Sequence, residues 1–234
     1  MLPQFLWLWL PVSLFLGSAI FEQFLDAEAG ARLVAEGGPY ELLQFFVMAL
    51  GFLTALYVLA RMDRGKPWLL AWIGIAALGC LYVAGEEVSW GQHFAKWESS
   101  EFWAQVNDQN ETNFHNMSSW LDQKPRVLLI IGVYVGGLIM PLLMRFKPSS
   151  LPARYAIIYP TYQFVPTALI CLTIKLYDSL GDLTGINIFW RSAETEEFFI
   201  YYFVVLYLTL MVQRLVRGRV DAETTDTPSA PHTQ

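Results

Sequence analysis

The chain has 234 residues, 55% of them hydrophobic and only 15% charged, with a net charge of -6. A soluble domain carries about 25% charged residues, so this composition argues against one, and 234 residues suffice for one compact domain. The acidic balance offers no basic patch for phosphates and excludes nucleic acid as a partner.

Taken in chain order, six stretches approach the roughly 20 apolar residues that a bilayer-crossing helix needs. They are Phe5–Phe24, Tyr40–Ala60, Trp68–Gly85, Val127–Met144, Tyr155–Leu176 and Glu197–Leu215. No Lys or Arg precedes Arg32, so the first stretch is expected to be a retained helix and not a cleaved signal peptide. Gly37-Gly38-Pro39, Arg64-Gly65-Lys66-Pro67 and Lys147-Pro148-Ser149-Ser150 mark breaks between stretches. Pro160 and Pro166, with Gln163 between them, predict one kinked helix in the fifth. Cys80 and Cys171 both fall in apolar runs and read as small buried residues, without a disulfide. The expected fold is all-α: a polytopic bundle of six transmembrane helices in a single domain, 1–220. A polar, disordered tail, 221–234, follows, and a long, partly helical loop joins the third and fourth helices.

Orientation follows from basic residues in the short loops. Arg61, Arg64 and Lys66 follow the second stretch; Arg145, Lys147 and Arg154 the fourth; Arg214, Arg217 and Arg219 the sixth. The first and last of the other loops are acidic, with Glu22, Asp26, Glu28 and Glu36, then Asp178 and Asp182. Both termini are therefore expected in the cytoplasm, with the acidic ends outside.

Three segments bring ionisable residues to that outer level. The third stretch ends in Gly85-Glu86-Glu87-Val88-Ser89-Trp90-Gly91-Gln92-His93, and Glu86 lies about 27 Å along the helix from Trp68. On a continuing helix Glu86, Trp90, His93 and Trp97 share a face, with Glu87 about 100° away. Adjacent carboxylates at that depth call for a proton, a cation or a metal, although headgroup-facing charges anchored by tryptophans have the same pattern. In the long loop, Asn107 to Asn116 are nearly all hydrogen-bonding types, and Glu111 and His115 become neighbours if the stretch is helical. That pair could bind one ion or share a proton, or be ordinary capping and solvated residues. Asn110-Glu111-Thr112 and Asn116-Met117-Ser118 also fit the glycosylation pattern, which matters only in a eukaryotic secretory route. The sixth stretch opens with Glu194, Glu196 and Glu197, where Glu194, Glu197 and Tyr201 share a face and acids also suit a helix N-terminus.

The two loop motifs, Gly85-Glu86-Glu87-Val88-Ser89-Trp90-Gly91-Gln92 and Asn107 through Asn116, resemble those of a group of uncharacterised bacterial multi-pass membrane proteins. That group carries Glu-Glu-x-Ser-Trp-Gly-Gln and Glu-Thr-Asn-x-His-Asn segments. The resemblance implies a bacterial cytoplasmic (inner) membrane location and no particular reaction. Similarity to CAAX-type intramembrane proteases is looser, since Gly91 stands where their Arg belongs. Alkaline-ceramidase-like hydrolases use three His, and here only His93 and His115 lie near the membrane.

Two His and several Glu form a ligand set suited to zinc, manganese or iron. The leading expectation is a metal-dependent hydrolase for a lipid or lipid-linked substrate at the extracytoplasmic face. In it Glu86, His93, Glu111 and His115 are the metal ligands and Glu87 or Glu197 is the general base. Trp90, Trp97, Trp103 and Trp120 would line its substrate groove. The alternatives are an ion-coupled transporter and a non-catalytic subunit of a membrane assembly.

Overall fold

The computed structural model describes residues 1–107, 111–114, 119–185 and 188–218. The described residues contain no strand, and six helices are long and apolar enough to cross a membrane. A π-turn over Phe5–Trp9 runs into α1, Leu10–Glu22. The short α2, Ala27–Leu33, is capped by Asp26, whose side chain accepts from Ala29 N at 2.8 Å. The next two spans, α3 (Pro39–Arg61) and α4 (Pro67–Glu87), both start at a proline, where a missing N–H costs no helical bond. Between α4 and the fourth span lie α5, Gln92–Ala95, and α6, Glu101–Val106, so the long loop is partly helical as expected. The fourth span is α7, Ser119–Tyr134, continued through a π-turn at Val135–Ile139 into α8, Met140–Phe146. Then come α9, Val165–Thr184, and α10, Ser192–Val212. Predicted tail residues 221–234 lie outside the described residues.

The fifth span departs from the expected single kinked helix. Ala153–Ile158 forms 3-10 turns, Tyr159 is extended, and a separate 3-10 turn, Tyr162–Phe164, leads into α9. Pro160 forces Tyr159 out of the helical region, while Pro166 sits harmlessly in the first turn of α9. The carbonyls freed by this break find donors on the last helix. Arg214 Nη1 donates to the carbonyls of Ile157 and Tyr159, each at 2.8 Å, and Tyr207 OH donates to that of Ile158 at 3.0 Å. Gln163 pairs with the main chain of Leu2, donating to its carbonyl at 3.0 Å and accepting from its N–H at 3.2 Å. Irregular backbone is tolerated within a span only where protein supplies such partners.

Helix α10 is the centre of the bundle: half of its span is enclosed, against 11% for the first. It packs on α3 and α9, and α3 also packs along α4. Lipid is as apolar as the core, so close approach matters more here than hydrophobicity. Small residues duly sit at the contacts, with Gly51 facing Cys80, and Ala55 and Ala77 buried nearby. At Gly137 a Cβ would lie 2.4 Å from that of Ala168 and 3.0 Å from the Phe203 ring, whereas Gly132 on the same span faces open space. Gly137→Ala should therefore lower stability by about 1–3 kcal/mol, the usual cost of overpacking, and Gly132→Ala should not. Thermal unfolding of the two variants in detergent measures the difference.

Candidate functional site

Helix α4 does not continue past Glu87. Ser89, Trp90 and Gly91 all adopt positive φ, at 46°, 53° and 104°, and the chain turns a left-handed corner before α5. Glycine accepts this conformation freely, but two preceding non-glycine residues do so only at a cost. The shared face expected for Glu86, Trp90, His93 and Trp97 is thereby broken. Instead the Trp90 ring folds back over Gly85, and its Nε1 donates to Glu86 Oε1 at 2.6 Å. The other Glu86 oxygen accepts from the main-chain N–H of Phe114 at 2.7 Å.

Beyond the corner, the two sequence motifs bind one another. Ser89 Oγ donates to Glu111 Oε2 at 2.7 Å, and His93 Nε2 lies 2.8 Å from Glu111 Oε1 and 3.1 Å from Ser89 Oγ. Asn113, fully buried, donates through Nδ2 to Glu111 Oε2 at 2.7 Å and to Ser89 Oγ at 3.1 Å. Asn107 holds Asn113 in turn, donating to its Oδ1 at 2.8 Å. Gln92 Oε1 accepts from both the N–H and the hydroxyl of Thr112, at 2.7 and 2.8 Å. Trp97 Nε1 also donates to the Thr112 hydroxyl, at 3.2 Å. His93 and Glu111 keep 18% and 12% of their side chains exposed, enough to meet a small reactant. The Nδ1 of His93, packed against Gly37, is buried without a partner.

Glu111 therefore meets His93 and not a helical neighbour: residues 111–114 are not helical, and His115 lies outside the described residues, as do Asn110 and Asn116. The side chain of Trp120 also lies outside the described residues, while Trp103 stacks edge-on against Phe114. Glu86 is held by Trp90 and Phe114 and is not among the partners of His93 or Glu111. Among the described residues, no three His, Cys, Asp or Glu side chains are grouped closely enough to hold a metal ion.

Glu87, about 100° further round the helix, points away from the loop contacts of Glu86. Its Oε1 accepts from Tyr201 OH of α10 at 3.0 Å, and Glu197, Glu194 and Glu41 lie within electrostatic reach. Glu197 pairs with Arg126 Nη1 at 2.8 Å, and Arg126 Nη2 reaches Glu196 at 3.1 Å.

Two members of this acidic interior, Glu41 and Gln44, escape a sequence reading. Glu22, Glu41, Glu194 and Glu196 are buried, as is Gln44. Glu22 accepts from Tyr40 OH at 2.6 Å and from Trp190 N at 2.7 Å, and Glu41 accepts from Gly37 N at 2.6 Å. Gln44 Nε2 donates to the carbonyl and carboxylate of Glu194, at 3.0 and 3.2 Å, and Arg191 meets Glu194 at 3.2 Å. The signal for Gln44 was available: with Glu41 and Met48 it lies on one helical face of an otherwise apolar span. Beside Tyr40 and Thr195 opens an apolar groove of ≈ 170 Å³, walled by Leu14, Phe21, Leu43 and Phe198.

No family model, curated protein or solved structure matches this chain.

Two predictions follow from these contacts. Asn113→Asp replaces the donor facing Glu111 by an oxygen, so hydrogen exchange at residues 107–114 should accelerate and stability fall by about 1–3 kcal/mol. Arg126→Met removes a cation from Glu196 and Glu197 and should cost about 3 kcal/mol, the low end for a broken buried pair because Arg126 is partly exposed. Adding Glu196→Gln should restore part of that loss in the same unfolding assay.

Proposed function

We propose that this chain is a membrane hydrolase that acts on a lipid or lipid-linked substrate at the extracytoplasmic face. In this reading His93 moves the proton and Glu111 orients it. The observation that carries the reading is the 2.8 Å contact between His93 Nε2 and Glu111 Oε1, both side chains retaining access to solvent. A carboxylate held against an imidazole fixes its orientation and stabilises its protonated form, as general acid–base catalysis requires. The basic residues at the other end of the spans favour placing this end outside, in a bacterial inner membrane as the motif resemblance implies. The Gly37–Pro39 turn carries His93 packed on Gly37 on one side and the apolar groove against Pro39 on the other, which suits a substrate with an acyl chain.

Glu87 and Glu197 take no part in the chemical step in this reading; they belong to the acidic wall behind α4. A divalent ion (zinc, manganese or iron) would take His93 Nε2 and one Glu111 oxygen, with His115 as the third ligand the sequence offers, and would activate water at neutral pH. Without one, the water would pass its proton to the His93 Nε2–Glu111 pair at their shared exposed edge, since Nδ1 of His93 is buried.

The test is product release from vesicles of phosphatidylethanolamine, phosphatidylglycerol and cardiolipin containing the protein, followed by mass spectrometry, with the metal content of the same preparation measured. His93→Ala should slow turnover by about 10²–10⁴-fold, and Glu111→Gln should slow it less. Equal product from wild type and His93→Ala, or none from either, rejects the hydrolase. A 1:1 metal content lost in His93→Ala selects the ion-dependent form.

One observation favours a second reading, an ion-coupled carrier: among the described residues Glu22, Glu41 and Glu87 are buried and accept from uncharged donors. Cation or proton flux into proteoliposomes that is lost in Glu87→Gln, with no hydrolysis, would select it.

A further inference from the structure

The groove and the acidic interior meet at Tyr40 and Thr195, a junction that His93 and Glu111 do not reach by any hydrogen bond. The walls of the groove are aliphatic and aromatic, and Leu14, Phe21 and Leu43 are also exposed toward what would be lipid, so it is open sideways to an alkyl chain. Its polar end has the opposite character. Tyr40 OH donates to Glu22 and lies 3.4 Å from the Thr195 hydroxyl. Glu22 is 3% exposed, and its oxygens take a phenol and a main-chain N–H, both uncharged donors. One turn along the same face of α3, both Nε2 contacts of Gln44 go to acceptors on Glu194, which fixes the direction of the amide. Its Oε1 then faces the interior, fully buried and without a donor. Among the described residues the cation on Glu194 is Arg191, itself about half exposed.

Among the described residues this end is thus short of positive charge, one buried amide oxygen lacks a donor, and the carboxylates are too dispersed to share a metal ion. What complements it is a charged group with several donors spread over more space than a metal's ligand sphere, carried on an apolar chain. We propose that the groove binds an amphiphile with a primary ammonium head, of the aminophospholipid or long-chain amine class. The chain lies between Leu14, Phe21, Leu43 and Phe198, and the ammonium lies at the Tyr40 and Thr195 hydroxyls, with the Glu22 carboxylate one hydrogen bond behind them. This deepens the hydrolase reading by naming its substrate class and rests on that reading for its consequence, whereas binding itself does not depend on turnover.

The full-length protein in dodecyl maltoside is titrated with dodecylamine, dodecyltrimethylammonium and dodecanol at equal micellar mole fractions, with thermal unfolding as the readout. Dodecylamine should stabilise the protein saturably. The trimethyl compound, which has the charge but no N–H, should bind at least tenfold more weakly, and dodecanol should give no saturable shift. Leu43→Trp, which narrows the groove from its lipid side, and Glu22→Gln should each weaken dodecylamine at least tenfold; if Glu22→Gln fails to fold, Leu43→Trp decides. Equal responses to amine and alcohol, no saturable response, or an unchanged Leu43→Trp would overturn the proposal. Dodecylamine binding by a protein that hydrolyses no lipid removes the hydrolase and leaves this site. Hydrolysis of amine-free lipid without dodecylamine binding does the reverse.

Discussion

A carboxylate removed from water must find hydrogen-bond donors within the protein, and this requirement organises one whole end of the bundle. Glu22, Glu41, Glu86, Glu87, Glu194 and Glu196 are all buried there. Three of them recruit main-chain N–H groups from loops: Trp190 for Glu22, Gly37 for Glu41 and Phe114 for Glu86. The connecting segments are therefore folded around the glutamates. The Glu22–Trp190 bond ties the segment before α10 to the end of α1, and Glu87–Tyr201 ties α4 to α10. Loss of one such carboxylate would leave a buried donor unpaired as well as remove a charge, so these residues are structural whatever else they do.

The left-handed corner at Ser89, Trp90 and Gly91 is the second constraint, and it depends on the first. A non-glycine residue in that region costs about 1–2 kcal/mol, and two stand there in succession. The cost is offset locally: the Trp90 indole bonds Glu86, and the buried Ser89 hydroxyl bonds Glu111 and Asn113. Strain held by such a network is common where geometry serves chemistry, and here its effect is specific. It swings His93 off the axis of α4 and onto the segment that carries Glu111, which a straight helix could not do.

Much of this architecture is legible in the sequence, because length and hydropathy suffice for spans. The end of the third span falls within two residues of its predicted position, and the proline-led starts of α3 and α4 follow the loop signals. The corner is not legible, because Ser89 and Trp90 have no intrinsic preference for positive φ and only tertiary bonds put them there. Glu111 was readable as a partner for an imidazole, but helical spacing pointed to His115, whereas the bond in the structure comes from His93 across the loop. Arg126 escaped because a cation at the edge of an apolar run reads as a boundary, and its partners Glu196 and Glu197 lie 70 or more positions away. Gln163, a polar residue within the fifth stretch, is used up on the main chain of Leu2.

The adjacent pair Glu86 and Glu87 shows how one helix end serves two environments. Rotated by about 100°, they face different sides of α4. Glu86 faces the loop network, where donors are plentiful, the side chains of His93 and Glu111 reach water, and protons can exchange with solvent. Glu87 faces α10 and a set of carboxylates with few cations, where a charge is costly and a bound cationic group would lower that cost. A reaction that needs both a proton donor and an anchored cationic amphiphile requires the two environments side by side yet separated, because an imidazole placed among the carboxylates would be held as a permanent cation. The last turn of α4 supplies that separation, and it does so only because the helix stops at Glu87.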